Sequence, residues 1–163
     1  MTTVTQEEAH RLFEYRDGVL YWRERPAQSR KAKGNMEAGT DSGNGYRKVS
    51  INKKRYYEHR IIFLMHHGFI PEIVDHIDGN TLNNNIDNIR ASNKSLNACN
   101  SKIPSHNTSG HKGVLWLKRE KKWGVRVQFN KRQIHLGSFF DKELACLVAD
   151  EGRSLYHGKY ARL

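Results

Sequence analysis

Val74-Asp75-His76-Ile77-Asp78-Gly79-Asn80, continued by Asn88 and Asn97, is the stretch on which the reading of this chain turns. It sets an acid, an imidazole and amides at spacings that one metal-centred site can use. Ile73 and Val74 are β-branched and lead as a strand into Asp75-His76, and Asp78-Gly79-Asn80 is a turn by composition. In a strand, Asp75 and His76 point to opposite faces, so the turn matters for placing them. A neutral imidazole suits a general base near pH 7. A carboxylate and an amide oxygen suit a hard ion such as magnesium, which keeps several of its waters. Together they fit phosphodiester hydrolysis, in which a base activates water and a metal offsets phosphoryl charge. On that basis Asp75 and Asn97 are metal ligands and His76 is the base. Two plainer readings stay open on these residues alone: a surface Asp-His pair and an Asn-rich loop.

Upstream, residues 5–15 read as a short helix, with Thr5 as N-cap, Glu8 completing a capping box, and Ala9, Leu12 and Phe13 on one apolar face. Asp17-Gly18 between Phe13-Glu14-Tyr15 and Val19-Leu20-Tyr21-Trp22 predicts a hairpin. Residues 26–45 have little apolar content and read as one long loop, whose Arg30, Lys31 and Lys33 suit phosphates or plain solvation equally. Residues 46–51 and 55–58 predict a second hairpin about Asn52-Lys53-Lys54. Residues 59–67 predict a buried helix stopped by Gly68 and Pro71. Leu82, Ile86 and Ile89 recur at three- and four-residue spacing, as the inner face of a helix or of an irregular loop, while Asn83, Asn84, Asn85, Asp87 and Asn88 face out or cap. Residues 93–100 predict a helix with Asn97 and Asn100 on one face.

Downstream the pattern changes. Residues 101–110 are polar and read as a linker. Residues 113–117, 123–129 and 132–137 are strand-like, and the middle run alternates Val125, Val127 and Phe129 against Arg126, Gln128 and Asn130. A helix is predicted from Lys142 to about His157, with Leu144, Ala145, Val148, Ala149 and Leu155 inside.

The charge is uneven. The 163-residue chain has a formal charge of +11, and residues 111–163 carry twelve Lys/Arg against five Asp/Glu. A strongly basic chain points first to a polyanion, and the asymmetry points to a dedicated nucleic-acid module. No apolar run is long enough to span a bilayer, and the first residues do not read as a secretory leader. Cys99 and Cys146 lie far apart without a Cys-x-x-Cys partner, which argues against a disulfide framework and a cysteine zinc site. A reducing cytoplasm is the expected setting.

Residues 46–100 resemble the HNH endonuclease family, in its phage homing-endonuclease branch. The resemblance is carried by His59-Arg60, the stretch 75–80, Leu82-Asn83-Asn84, Asn88-Ile89-Arg90, and Asn97 with Asn100. It implies a two-stranded ribbon, a loop and a helix around one metal, the ββα-metal site. By position it implies His76 as general base, Asn88 as the asparagine that holds the loop, and Asp75 as a metal ligand. Asn97 takes the last position, where many relatives have histidine, which favours magnesium or manganese. Asn100, His59 and Arg60 are candidates for the surrounding shell.

Residues 109–163 resemble the plant ethylene-response-factor (Apetala-type) DNA-binding domain. The resemblance is carried by residues 109–114, Trp123 with its alternating strand, Leu136-Gly137-Ser138-Phe139, and a helix with Ala145, Ala149-Asp150 and Leu155. It implies a three-stranded antiparallel sheet that enters the major groove of double-stranded DNA, braced by a helix. Arg126, Gln128 and His135 are outward strand positions able to read base edges. Lys118, Arg119, Lys121, Lys122, Lys131 and Arg132, in or near turns, suit phosphate contact. Lys112, Trp116 and Trp123 complete the candidate surface. The family's outward Arg/Trp/Glu set is not reproduced, since Leu115 and Arg126 occupy such positions.

The expectation is therefore an α+β chain. Residues 1–100 form an HNH nuclease domain, 101–110 a linker, and 111–163 a sheet-on-helix DNA-binding domain. It implies a metal-dependent DNA endonuclease with one Mg2+ or Mn2+, acting in a phage-infected cell without a membrane or obligate protein partner. As a monomer or weak dimer it would nick one strand per encounter. The rival expectation is a DNA-binding regulator that does not cut.

Overall fold

The computed structural model describes residues 4–24 and 36–161. It is a mixed α/β chain in two compact units, Met1–Ser92 and Asn93–Leu163. Arg30, Lys31 and Lys33 lie outside the described residues.

The first unit begins with helix α1 (Gln6–Leu12), capped by the Thr5 hydroxyl, which accepts from the Glu8 amide. The helix is shorter than its capping pattern predicts, because Phe13 turns extended and opens the first hairpin, β1 (Phe13–Arg16) and β2 (Val19–Trp22). Asp17 and Gly18 both take positive φ at its turn, as a two-residue hairpin requires. Residues 36–45 are not all loop. Met36 O and Leu20 O accept from Trp22 N and Ala38 N, which seats this segment on β2, and β3 (Thr40–Asp41) follows. β3 pairs with β4 (Arg47–Ile51), which pairs with β5 (Lys54–Tyr57) across a tight Asn52-Lys53 turn. Helix α2 (Glu58–His67) is the spine of this unit. Ile61, Ile62, Phe63, Leu64 and Met65 are buried, and Gly68 ends it in the left-handed conformation. Phe13, Leu20, Val49 and Ile51 pack into the same core.

A two-stranded ribbon, β6 (Ile73–His76) with β7 (Ile89–Ser92), completes the unit. Between its strands runs an irregular loop ending in a 3-10 turn, Ile86–Asn88. Of the predicted inner face of this loop, Ile86 packs on the core and Ile89 is buried as a strand residue, while Leu82 is 50% exposed.

The second unit begins at α3 (Lys94–Cys99), capped by Asn93, so the compact division falls before this helix rather than after residue 100. The physical reason is that Lys112 Nζ ties into the helix end, donating to Cys99 O at 2.7 Å and Ser101 O at 2.8 Å. β8 (Val114–Leu117), β9 (Lys122–Phe129) and β10 (Arg132–Phe139) form an antiparallel sheet with β9 central. Helix α4 (Lys142–His157), capped by Asp141, lies on one face. Of the predicted inner face, Ala145 and Ala149 are buried and Val148 packs beside them, joined by Gly152, whereas Leu144 is 48% and Leu155 78% exposed. The small residues let the helix sit close: a Cβ on Gly152 would come within 2.1 Å of Leu136. Both cysteines are free thiols.

Candidate nuclease site and basic sheet face

The ribbon sorts the central residues by its register. Asp75 pairs with Arg90 and His76 with Ile89, so the acid and the imidazole occupy opposite faces of the ribbon. Both are buried. The Asp75 carboxylate meets the Arg90 guanidinium, with Nε at 2.9 Å and Nη2 at 2.8 Å from Oδ2.

His76 sits in a box of rings. His59, at the start of α2, is 4.9 Å away between centroids and nearly perpendicular, and Tyr46 lies 6.2 Å away. His76 Nε2 is 3.0 Å from the Asn84 amide oxygen. With the amide oxygen as acceptor, the neutral ring that fits this contact has its proton on Nε2 and the lone pair that a base needs on Nδ1. Asn84 is fully buried, not turned outward as its place in an Asn-rich run suggests. It is the residue that sequence reasoning missed. The one available signal was its position eight residues after His76, inside Leu82-Asn83-Asn84.

The loop is held by its amides. Asn88 O accepts from Ile77 N at 2.8 Å, which extends the ribbon by one step. The Asn88 side chain accepts from Asp78 N and donates to Asp78 Oδ1 and Asn83 O. Asp78 also accepts from Asn80 N and Asn83 Nδ2. Burial acts to raise the Asp78 pKa. These bonds and nearby His76 outweigh it and hold the carboxyl below its usual value. The first hairpin braces the far end of the loop, where Tyr15 Oη accepts from Ile86 N at 3.0 Å.

His59 and Arg60 have different duties. Arg60 donates to Pro71 O and Glu72 O, so it anchors the approach to β6. His59 is 5% exposed, and its Nδ1 is among the buried side-chain atoms without a partner in the described residues. Burial first, then the neighbouring His76 and Arg60 charges, push its pKa down to about 3. His59 is therefore neutral in the folded unit well above pH 3. Its folded pKa lies below the unfolded value, so as pH falls the unfolded chain takes up the proton first. Its contribution is intact above about pH 6.5 and is lost progressively as pH falls toward 3. His59→Phe should spare the unit roughly 2 kcal/mol of the stability that wild type loses between pH 6.5 and 5, read by urea unfolding at each pH. Parallel losses in the two proteins would show that His59 is protonated in the fold.

Asn97 is exposed on α3, and Asn100, the C-cap of that helix, is buried; both belong to the second unit. Among the described residues, no three His, Cys, Asp or Glu side chains gather as a metal-binding cluster. Within the first unit the Asp75 carboxylate is a hard oxygen donor, which suits an ion that keeps most of its waters.

In the second unit, the face of the sheet turned away from α4 carries Arg126, Gln128, Gln133 and His135, all exposed. Register pairs His135 with Arg126 and Gln133 with Gln128, giving a two-by-two lattice of hydrogen-bonding side chains. Gln133 is a further residue that the alternation of the middle strand alone did not bring forward. Lys118, Arg119 and Lys121 occupy the β8–β9 turn region and Lys131 the β9–β10 turn, beside Arg132. Other candidates are employed differently. Lys112 anchors α3, and Trp123 packs on the α4 side, 4.9 Å from Trp116. Lys122 Nζ lies 4.7 Å over the Phe140 ring.

Residues 56–99, which contain α2, the ribbon and α3, match the protein family described as HNH endonuclease. The chain therefore carries an HNH endonuclease domain. Protein 3.8 of Escherichia phage T7 is 38% identical over 97 residues, which span 58% of this chain and 79% of that protein, and the chain belongs to its family. No solved structure matches the chain.

Proposed function

We propose that the protein is a metal-dependent DNA endonuclease that hydrolyses a phosphodiester of double-stranded DNA. One observation carries this: within the HNH-matched segment, a buried histidine sits with Nε2 3.0 Å from a buried amide oxygen, a contact that suits a base acting through Nδ1. In this scheme His76 Nδ1 takes a proton from water. The water oxygen bonds to phosphorus, the bond to the 3′-oxygen breaks and that oxygen takes a proton from solvent water, leaving a 5′-phosphate and a 3′-hydroxyl. A bound divalent ion, Mg2+ or Mn2+, would supply charge neutralisation at the phosphoryl group. Asp75 is its proposed ligand, and the motif gives Asn97 as the other. Asn88 keeps the loop in shape. One such site per chain makes a single-strand nick the expected product for a monomer.

Substrate capture is assigned to the basic C-terminal segment, read as a sheet-on-helix DNA-binding domain of the ethylene-response-factor type. Arg126, Gln128, Gln133 and His135 suit base edges, and the turn lysines with Arg119 and Arg132 suit phosphates. A phage-encoded enzyme of this kind would act in the host cytoplasm.

The direct test is supercoiled plasmid with Mg2+, Mn2+ or Ni2+. Conversion to open circles supports the assignment. Binding with intact plasmid in every metal would make the chain a DNA-binding protein that does not cut. For the reading face, Arg126→Ala should cost about 1–3 kcal/mol on a preferred site and much less on random DNA. Equal losses on both would make Arg126 a phosphate contact.

A further inference from the structure

The Asp75 carboxylate already holds a cation. Arg90, its register partner on β7, donates twice to one oxygen, and the two side chains are only 6% and 13% exposed. A carboxylate so deeply placed needs a counter-charge, because an uncompensated buried charge is costly. Without metal, the guanidinium meets that need.

We propose that Arg90 is the resident counter-ion of the metal-binding carboxylate, so that a divalent ion loads against it and Arg90 sets the metal affinity of the site. This rests on the reading of Asp75 as a metal ligand. An ion ligated by this carboxylate lies about 2.1 Å from its oxygen. It would therefore sit within a few ångströms of a guanidinium bonded to the same group, where like charges repel through a poorly screened interior. The free protein accordingly holds metal weakly. An incoming phosphodiester changes the balance, because its oxygens offer the guanidinium a second anion and offer the metal a further ligand. Metal loading is thereby favoured when substrate is present.

The test is Mn2+ binding without DNA, by titration calorimetry and by the electron-spin signal of free Mn2+, on wild type, Arg90→Gln, Arg90→Lys and Asp75→Asn. Arg90→Gln should bind Mn2+ at least tenfold more tightly than wild type, and Mg2+ should raise its Tm more. Arg90→Lys, which keeps the charge, should stay near wild type. Equal or weaker binding by Arg90→Gln overturns the proposal and makes Arg90 a residue that orients Asp75 for the metal. If Arg90→Gln does not fold, wild type answers alone: the Arg90 Nε–H resonance should shift as Mg2+ is added, and a resonance unmoved when Tm has stopped rising overturns the proposal. Asp75→Asn separates the two levels. If it binds Mn2+ as wild type does, the ligand assignment falls and takes the proposal with it. If it loses Mn2+ while Arg90→Gln gains nothing, only the role of Arg90 falls and the nuclease reading stands.

Discussion

His76→Ala is expected to lower plasmid nicking by about 10²- to 10⁴-fold at neutral pH, with little change in DNA affinity, since that is the usual worth of a positioned general base. Truncation removes a ring packed between His59 and Tyr46 and leaves Asn84 Oδ1 without its donor. Some stability is therefore lost as well, and unfolding must be followed in parallel. Two readouts separate chemistry from packing. The proposed scheme assigns DNA binding to the second unit, so its retention would show that this unit is intact. Added imidazole should restore part of the nicking, because the cavity left by the ring can admit a base but no structural repair follows from it. A His76→Ala protein that cuts as fast as wild type would remove the base assignment. A variant that is slow, stable and refractory to imidazole would shift weight to a positional role for His76.

Local chemistry made much of this legible from sequence, and tertiary packing hid the rest. Turns and caps were readable because their causes are local: Asp17-Gly18, Asn52-Lys53, Thr5 with Glu8, and Gly68 all act within a few residues. The strand alternation Arg126, Gln128 was readable because period two survives in a sheet with one covered face. Asn84 was not, since three consecutive asparagines look alike until the fold selects one for burial on His76. The face of α4 was half legible: Ala145 and Ala149 are buried and Val148 packs beside them as predicted, but Leu144 and Leu155 point out and Gly152, whose small size permits close approach, takes the sheet instead. Arg90 against Asp75 depends on register between strands separated by a twelve-residue loop, which no local rule supplies.

Glu58→Ala should destabilise the first unit by roughly 3–5 kcal/mol, the usual cost of breaking a buried ion pair from one side. Glu58 is a charged residue at 0% exposure, opening α2 among apolar neighbours. Its two oxygens join three separate segments. Oε1 accepts from the Leu20 amide of the first hairpin at 2.8 Å, and Oε2 from Arg47 Nε of the second sheet at 2.6 Å. Arg47 in turn reaches Glu37 and Gly39 O. Gly39 is needed beside it, because a Cβ there would fall within 2.2 Å of the Glu58 carboxylate. Alanine would strand a buried amide and a half-buried guanidinium and leave a void under the residue next to His59. Hydrogen exchange reads this by unit. Protection of Ile61 and Ile62 amides should fall about 10²- to 10³-fold, while Val125 and Val127 in the second unit keep theirs. Glu58→Gln, which retains an acceptor for Leu20, should lose less. Loss of protection in both units together would mean that they unfold as one body, and a change under about 1 kcal/mol would mean that the Leu20 amide and Arg47 find other partners. Because His59 follows Glu58 directly on α2, the same variant should also loosen the ring box around His76. Nicking should then decline in step with the fraction of the first unit that is open, and not below it.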